Sequence, residues 1–205
     1  MQEKEIILKF AGEKFYKDGF NKISMDEIAS QMHISKKTIY KHFLSKDKLI
    51  ESLIDFDCNS HIAKETAILE QKTNVIRKIT QMIQYNLNEI SKYSEKWIND
   101  LQIHKPELWN KYLMFKNKKH DCYFHKILNQ GKKEKLIKDI PPDLILVGIE
   151  SIVKSVLHTN FLINSKLSLK QALNYSIDIL ISGMLTVKGV KIYDKEKKLL
   201  KLYKF

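Results

Sequence analysis

Glycine and proline are both scarce, six and three in 205 residues. Strands and their turns draw on these residues more than helices do, so the shortage argues against a β-rich chain and for an all-α one. Cysteine is scarcer still: Cys58 and Cys122 stand far apart, which excludes a disulfide framework and points to a reducing compartment. No apolar run reaches the roughly 18 residues of a membrane-spanning helix. The longest candidates are interrupted by Glu150, Lys154 and Asp178, and no leader-type segment opens the sequence. A cytoplasmic chain without membrane association is therefore expected. Missing too are a P-loop, GxSxG, HExxH and the clustered carboxylates of DNA-cleaving sites, so an enzyme using a basic face to hold an acidic substrate would lack its nucleophile and base. We expect no enzyme and no cofactor.

Lysine, by contrast, is abundant. All of the 36 basic residues except Arg77 are lysine, and the formal charge is +12. An excess of that size suits a polyanionic partner, either nucleic acid or an anionic membrane surface. The stretch HISKKTIYKHFLSKDKL, His33 to Leu49, sets Lys36, Lys37, Lys41, Lys46 and Lys48 against a single acid, Asp47. It lies where the chain changes character. Residues 1–47 hold short helical patterns separated by tight punctuation; from 48 to 187 the apolar residues recur at three- and four-residue spacing, as in long amphipathic helices; 188–205 is a basic tail.

The first helix is predicted from Gln2 to Asp18, with Ile7, Ala11 and Phe15 on one stripe and Gly19 as its left-handed terminator. Three serines then share one local design. Ser24, Ser35 and Ser45 are each placed to act as an N-cap, the hydroxyl accepting from a backbone N–H two or three residues on. The pairs Ile23 with Ile28, Ile34 with Ile39 and Leu44 with Leu49 have the spacing of hydrophobic staples, and Ser24 with Glu27 that of a capping box. The middle helices are thereby short: Met25 to Gln31, then Lys36 to His42 or Phe43. Two short helices across a tight turn, the second one basic, form a helix-turn-helix, whose second helix enters the major groove of duplex DNA.

At about 100° per residue, Ile39 and Phe43 share one face of that second helix and Lys37, Thr38 and Lys41 the opposite one, with Lys36, Tyr40 and His42 on the flanks. Lys37 and Thr38, with Lys36 beside them, have the chemistry to address base edges, a lysine donating to guanine and a threonine methyl packing on thymine. Tyr40, Lys41, His42 and Lys46 suit phosphates, with Ser24 and Ser35 adding hydroxyl or helix-terminus contacts.

Residues Ile7 to Leu49 resemble the DNA-binding head of the TetR family of bacterial transcriptional regulators. The matching features are Ala11, Phe15 and Gly19-Phe20, then Ile28-Ala29, then Ser35, Thr38-Ile39-Tyr40, His42-Phe43 and Ser45-Lys46. The chain departs from the family in three places. His33 stands where a glycine is common in the turn, Lys14 replaces an apolar residue, and Lys37 replaces a small one. The resemblance implies an all-α protein: a three-helix head on a helical body that binds a small molecule and forms a homodimer, repressing transcription until the ligand releases it from a palindromic operator. Activation, or regulation without a ligand, is compatible with the same fold.

Beyond the head the reading rests mainly on pattern. Helices are expected from Ser45 to Leu69, Asn74 to Tyr93, Ser94 to Ile103, Pro106 to Gln130 with Gly131 at C′, Pro142 to Asn164, and Leu169 to Val187. Aromatic and imidazole side chains are dense between Tyr85 and Phe124. Tyr85, Trp97, His104, Trp109, Tyr112, Phe115 and Tyr123 are candidates either for ordinary core or, by the resemblance, for a ligand pocket. Asp121, Cys122 and His125 share a helix face, yet no second cluster completes a metal site, so none is expected. The last two long helices carry small residues, Gly148, Ser151 and Ser155 on one and Ala172, Ser176 and Gly183 on the other, and the resemblance makes this pair the dimer contact. Dimerisation also follows from recognition, since one short helix reads too few bases. The tail KGVKIYDKEKKLLKLYKF carries +5 and is open to three readings: an added amphipathic helix, a disordered basic segment, or an anchor on anionic membranes.

Overall fold

The computed structural model of the chain describes residues 3–157 and 166–200, and for residues 113–122 and 157 the backbone alone. Among the described residues ten helices follow one another: α1 (Glu3–Asp18), α2 (Met25–Gln31), α3 (Lys36–His42), α4 (Lys46–Leu69), α5 (Val75–Ile90), α6 (Glu95–His104), α7 (Pro106–Lys133), α8 (Pro142–Leu157), α9 (Leu169–Met184) and α10 (Val187–Leu199). The protein is all-α, as its composition requires. Contacts divide it into two compact units, residues 1–63 with 92–117, and residues 64–91 with 118–205. The predicted head lies in the first unit together with most of α4, all of α6 and the start of α7; α4 and α7 each contribute to both units.

In the first unit α1 buries Ile7, Leu8, Ala11 and Phe15, the stripe its spacing implies. It ends where Gly19 takes φ 76° and returns its N–H to the Phe15 carbonyl at 2.9 Å. A Cβ at this position would also fall 2.5 Å from Asp100 Oδ2, so both backbone conformation and space demand glycine. Helix α6 packs on α1 through aromatic rings. Trp97 stacks on Phe15 with ring centres 6.4 Å apart, and it meets Phe20 and Tyr16 edge-on at 5.5 and 5.3 Å. Ser94 N–H, at the start of α6, donates to the Tyr16 carbonyl at 2.8 Å, and the Tyr16 hydroxyl ties α1 to α4 by donating to Asp57 at 2.5 Å.

In the second unit a buried cluster joins Val75, Ile76, Ile79 and Ile83 of α5 to Ile127 and Leu128 of α7 and to Ala172, Leu173 and Ile181 of α9. Lys78 is buried, and its ammonium is satisfied by the Leu69 carbonyl at 2.7 Å and Gln130 Oε1 at 2.9 Å. Gln130 donates onward to the Thr73 carbonyl, and Glu134 accepts from Val75 N–H. A charged amine is tolerable there because two of its three donors meet acceptors.

Several boundaries differ from expectation, among them the end of α5, which stops at Ile90 with Ser91 as its C-cap, short of Tyr93. Helix α7 does not stop at Gly131 but runs on to Lys133, and the left-handed residue is Lys135, with φ 57°. Leu136 N–H bonds the Gly131 carbonyl and Lys135 N–H the Lys132 carbonyl, a Schellman ending built without glycine. Gly131 is needed for space instead, since a Cβ there would lie 2.3 Å from Ile137 Cδ1. Helix α9 stops at Met184, short of Val187, because Leu185 bridges to Ile137 and Thr186 caps α10. Of the basic tail, residues 188–199 form that tenth helix, seated by the buried Tyr193, by Glu196 paired with Arg77 at 3.1 Å and by Lys197 paired with Asp178 at 3.1 Å. The last part of the helix expected to reach Asn164, and residues 201–205, lie outside the described residues.

Trp97→Ala is expected to destabilise the protein by about 3 to 5 kcal/mol, as loss of a fully packed aromatic does. Urea unfolding checks it; a loss below about 1 kcal/mol, the scale of a surface change, would mean that the ring is not structural.

Candidate nucleic-acid interface

Helix α3 is positioned by its own sequence at both ends. Ser35 Oγ accepts from Thr38 N–H at 3.0 Å and shares a hydrogen bond with Thr38 Oγ1 at 2.8 Å. Ser24 caps α2 through Glu27 N–H at 3.1 Å, and Ser45 caps α4 through Lys48 N–H at 3.2 Å. All three predicted caps form. Ile39 is 0% and Phe43 2% exposed, so the apolar pair is wholly spent on seating α3. The flanking features are less complete than expected. The Glu27 side chain accepts from Gln31 at 3.2 Å, so the half of the predicted capping box that would return to Ser24 is missing. Ile23 and Ile28 are both buried, whereas Leu44 is 83% exposed while Leu49 is 0%, and no staple joins that third pair. The reason is the extended backbone at Phe43, which turns the ring inward and its neighbour out.

The turn between α2 and α3 is a second Schellman ending. His33, at φ 54°, gives its N–H to the Ser30 carbonyl at 3.1 Å, and Ile34 N–H reaches the Ala29 carbonyl at 3.1 Å. Histidine here carries the steric cost of a left-handed backbone that glycine avoids.

The outward side chains of α3 are not electrically alike. Lys37, Lys41 and Tyr40 are exposed on the surface. Thr38 is half-buried, its hydroxyl engaged with Ser35. Lys36 forms an ion pair with Asp26 of α2. His42 Nε2 lies 2.7 Å from Glu3 Oε2 of α1, and the hydrogen bond from His42 holds the Glu3 carboxyl below its usual range against a smaller opposing effect of burial. Lys46 donates to the Asn21 carbonyl at 3.3 Å; burial pushes its ammonium down from the ordinary lysine value while Asp100 and Asp47 pull the other way. Nine predicted residues, Ser24, Ser35, Lys36, Lys37, Thr38, Tyr40, Lys41, His42 and Lys46, thus lie on or beside one short helix and two helix starts. The carboxylate partners Glu3 and Asp26 went unforeseen, being 39 and 10 residues from the groups they meet.

The aromatic candidates do not gather in one place. Trp97 belongs to the ring cluster on α1, His104 is exposed, and Trp109 stacks on Tyr112 at 6.1 Å, all in the first unit. Tyr85 and Tyr123 are half-buried in the second unit, where the Tyr123 hydroxyl meets Thr66 Oγ1 at 2.8 Å. The side chain of Phe115 lies outside the described ones, as do those of Asp121 and Cys122. Among the described residues no group of three His, Cys, Asp or Glu is placed to hold a metal ion, and no helix is long and apolar enough to cross a membrane.

His33→Gly is expected to stabilise the protein by about 0.5 to 1 kcal/mol, the relief of left-handed strain less the added freedom of the unfolded chain. Thermal or urea unfolding reads the sign; destabilisation would show that the imidazole itself contributes more than its backbone costs.

Comparison with known proteins agrees with this geometry. Residues 7–53 match the family described as bacterial regulatory proteins, tetR family. The chain is 24% identical over 167 residues, 81% of its length and 87% of the relative's, to the HTH-type transcriptional regulator YvaF of Bacillus subtilis strain 168. In fold it is similar to a TetR-family transcriptional regulator from Marinobacter aquaeolei VT8, with TM-score 0.71 and 20% identity over 100% of both chains. It is similar in the same way to SmeT, the repressor of the Stenotrophomonas maltophilia multidrug efflux pump SmeDEF, with TM-score 0.67, 12% identity, and coverage of 91% of this chain and 92% of that one.

Proposed function

From a head that matches the tetR family and a fold similar to that of TetR-family regulators, we propose that the chain is a TetR-family transcriptional regulator, a homodimeric repressor that binds a palindromic operator and is released by a small molecule. The observation that carries the DNA-binding half is the division of α3 into a seated apolar face, Ile39 and Phe43, and an exposed face bearing Lys37, Tyr40 and Lys41. On this reading Lys37 and Thr38, with Lys36, address base edges. Tyr40, Lys41, His42, Lys46, Ser24 and Ser35 address phosphates and set register. For Lys36 and His42 the duplex must take the place of Asp26 and Glu3, a small cost because both are surface pairs. The cytoplasm, where the operator is reached directly, is its place of action.

A second copy is the natural cover for one face of the body. Leu144 and Val147 on α8 and Tyr175 and Ile179 on α9 are all exposed in the single chain, at three- and four-residue spacing on two helices that pack together. An apolar face of that kind marks an interface, and a self-complementary pair is the commonest solution. Release by a ligand needs a coupling of only about 1 to 3 kcal/mol for a 5- to 150-fold loss of affinity. Tyr85 and Tyr123 are the candidates for ligand contact in the second unit, and α4, which contributes to both units, is the element through which a change there reaches the head. SmeT, a repressor with this fold, supports the sign of regulation.

Selection of bound sites from random DNA is expected to return palindromes. Against the recovered operator, Lys46→Ala should weaken binding to all sequences and lower the magnitude of the salt slope by about 1, whereas Lys37→Ala or Thr38→Ala should relax preference at one or two base pairs. A Lys46→Ala protein with altered base preference and an unchanged slope would contradict this division of labour. Ile179→Glu should convert dimer to monomer in sedimentation while the helical spectrum is kept, with operator affinity lost alongside; a dimer that survives it would place the interface elsewhere.

A further inference from the structure

Lys46, read above as a phosphate contact, stands within an array of alternating charge built by helix α6. Asp100 Oδ2 accepts from the Asn21 backbone N–H at 2.8 Å, and the carbonyl of the same Asn21 accepts from Lys46 Nζ at 3.3 Å. One peptide residue is therefore tied on one side to an acid of α6 and on the other to the basic group at the start of α4. Next to them Lys105 Nζ meets Asp47 Oδ2 at 2.6 Å. Gly19 borders the same tie: its φ of 76° favours glycine, and a Cβ there would come within 2.5 Å of the Asp100 carboxylate oxygen and displace it. Burial lowers the affinity of the Lys46 amine for a proton, and the charge of Asp100 acts on it through space in the opposite sense.

We infer that Asp100 is a positioning residue for DNA binding, which fixes the Gly19–Asn21 turn through the Asn21 amide and, by its charge, holds Lys46 back from phosphate. This rests on the reading of Lys46 as a phosphate contact. A carboxylate beside that ammonium both attracts it and repels an incoming phosphate, so the affinity of the head for every duplex is set below what its lysines alone would give. The effect is local to one lysine. It differs in that respect from a general change of net charge, which raises attraction to DNA through all basic groups together.

The test uses the full chain with Asp100→Asn, Asp100→Ala, Lys46→Ala and the two double variants. Asparagine keeps an oxygen for the Asn21 N–H but not the charge. Asp100→Asn is expected to bind duplexes of any sequence about 1.5- to fivefold tighter, the range of an exposed charge pair, with the gain abolished in the Lys46→Ala background. Hydrogen exchange at the Asn21 amide, measured without DNA, should accelerate about tenfold or more in Asp100→Ala, as loss of a hydrogen bond to a charged group implies, and clearly less in Asp100→Asn. An equal gain with and without Lys46 would assign the effect to overall charge and overturn the inference. So would no gain at all, or Asn21 exchange unaffected by Asp100→Ala. A protein whose Asn21 exchange responds as expected but which binds no duplex would fault the DNA reading and leave the positioning of the turn standing.

Discussion

Helix α3 is seven residues long, and two turns of helix do not persist in water because nucleation costs more than so few hydrogen bonds return. It exists because Ile39 and Phe43 are removed from solvent against the rest of the head and because Ser35 satisfies an otherwise orphaned amide at its start. With one of its seven residues, Ile39, and the residues on either side, Ser35 and Phe43, committed to structure in this way, the other six are free to be polar and basic. The economy of the helix is what makes a DNA-facing surface possible, and the tight turn at His33 sets the angle at which that surface is offered.

What the sequence made legible was local. The caps at Ser24, Ser35 and Ser45, the extents of α2, α3 and α4 and the apolar stripe of α1 all depend on residues within one or two turns of each other, and all formed as expected. The failures were of two kinds. Gly131 was expected to end a helix because glycine is the usual left-handed terminator, yet it sits inside α7 to admit Ile137, while Lys135 and His33 take the left-handed positions. A glycine chosen for space and one chosen for φ cannot be told apart without knowing what approaches it. The second kind was distance along the chain. Trp97 packs on Phe15, His42 meets Glu3, and Asp100 meets Asn21, none of them joined by a helical period. Leu44 shows the same limit in reverse, its spacing being right for a staple that the backbone at Phe43 does not allow.

The basic tail illustrates how burial, not charge, decides order. Seven lysines made residues 188–205 look equally suited to a helix or to a solvated arm. Tyr193, the Thr186 cap and the pairing of Glu196 with Arg77 supply the apolar contact and the satisfied polar groups that a charge count omits. Gly189 allows the close approach, since a Cβ there would lie 2.2 Å from the Leu136 carbonyl oxygen.

The central claim, that the polar face of α3 is the surface that meets DNA, is tested most directly by photocrosslinking. A benzophenone side chain placed at position 40 or at position 175 replaces a tyrosine in each case, Tyr40 on the polar face of α3 and Tyr175 on the body face assigned above to the second copy. The expected result is a strong crosslink to the selected operator from position 40 and none from position 175. Equal labelling from both positions, or labelling from 175 alone, would contradict it.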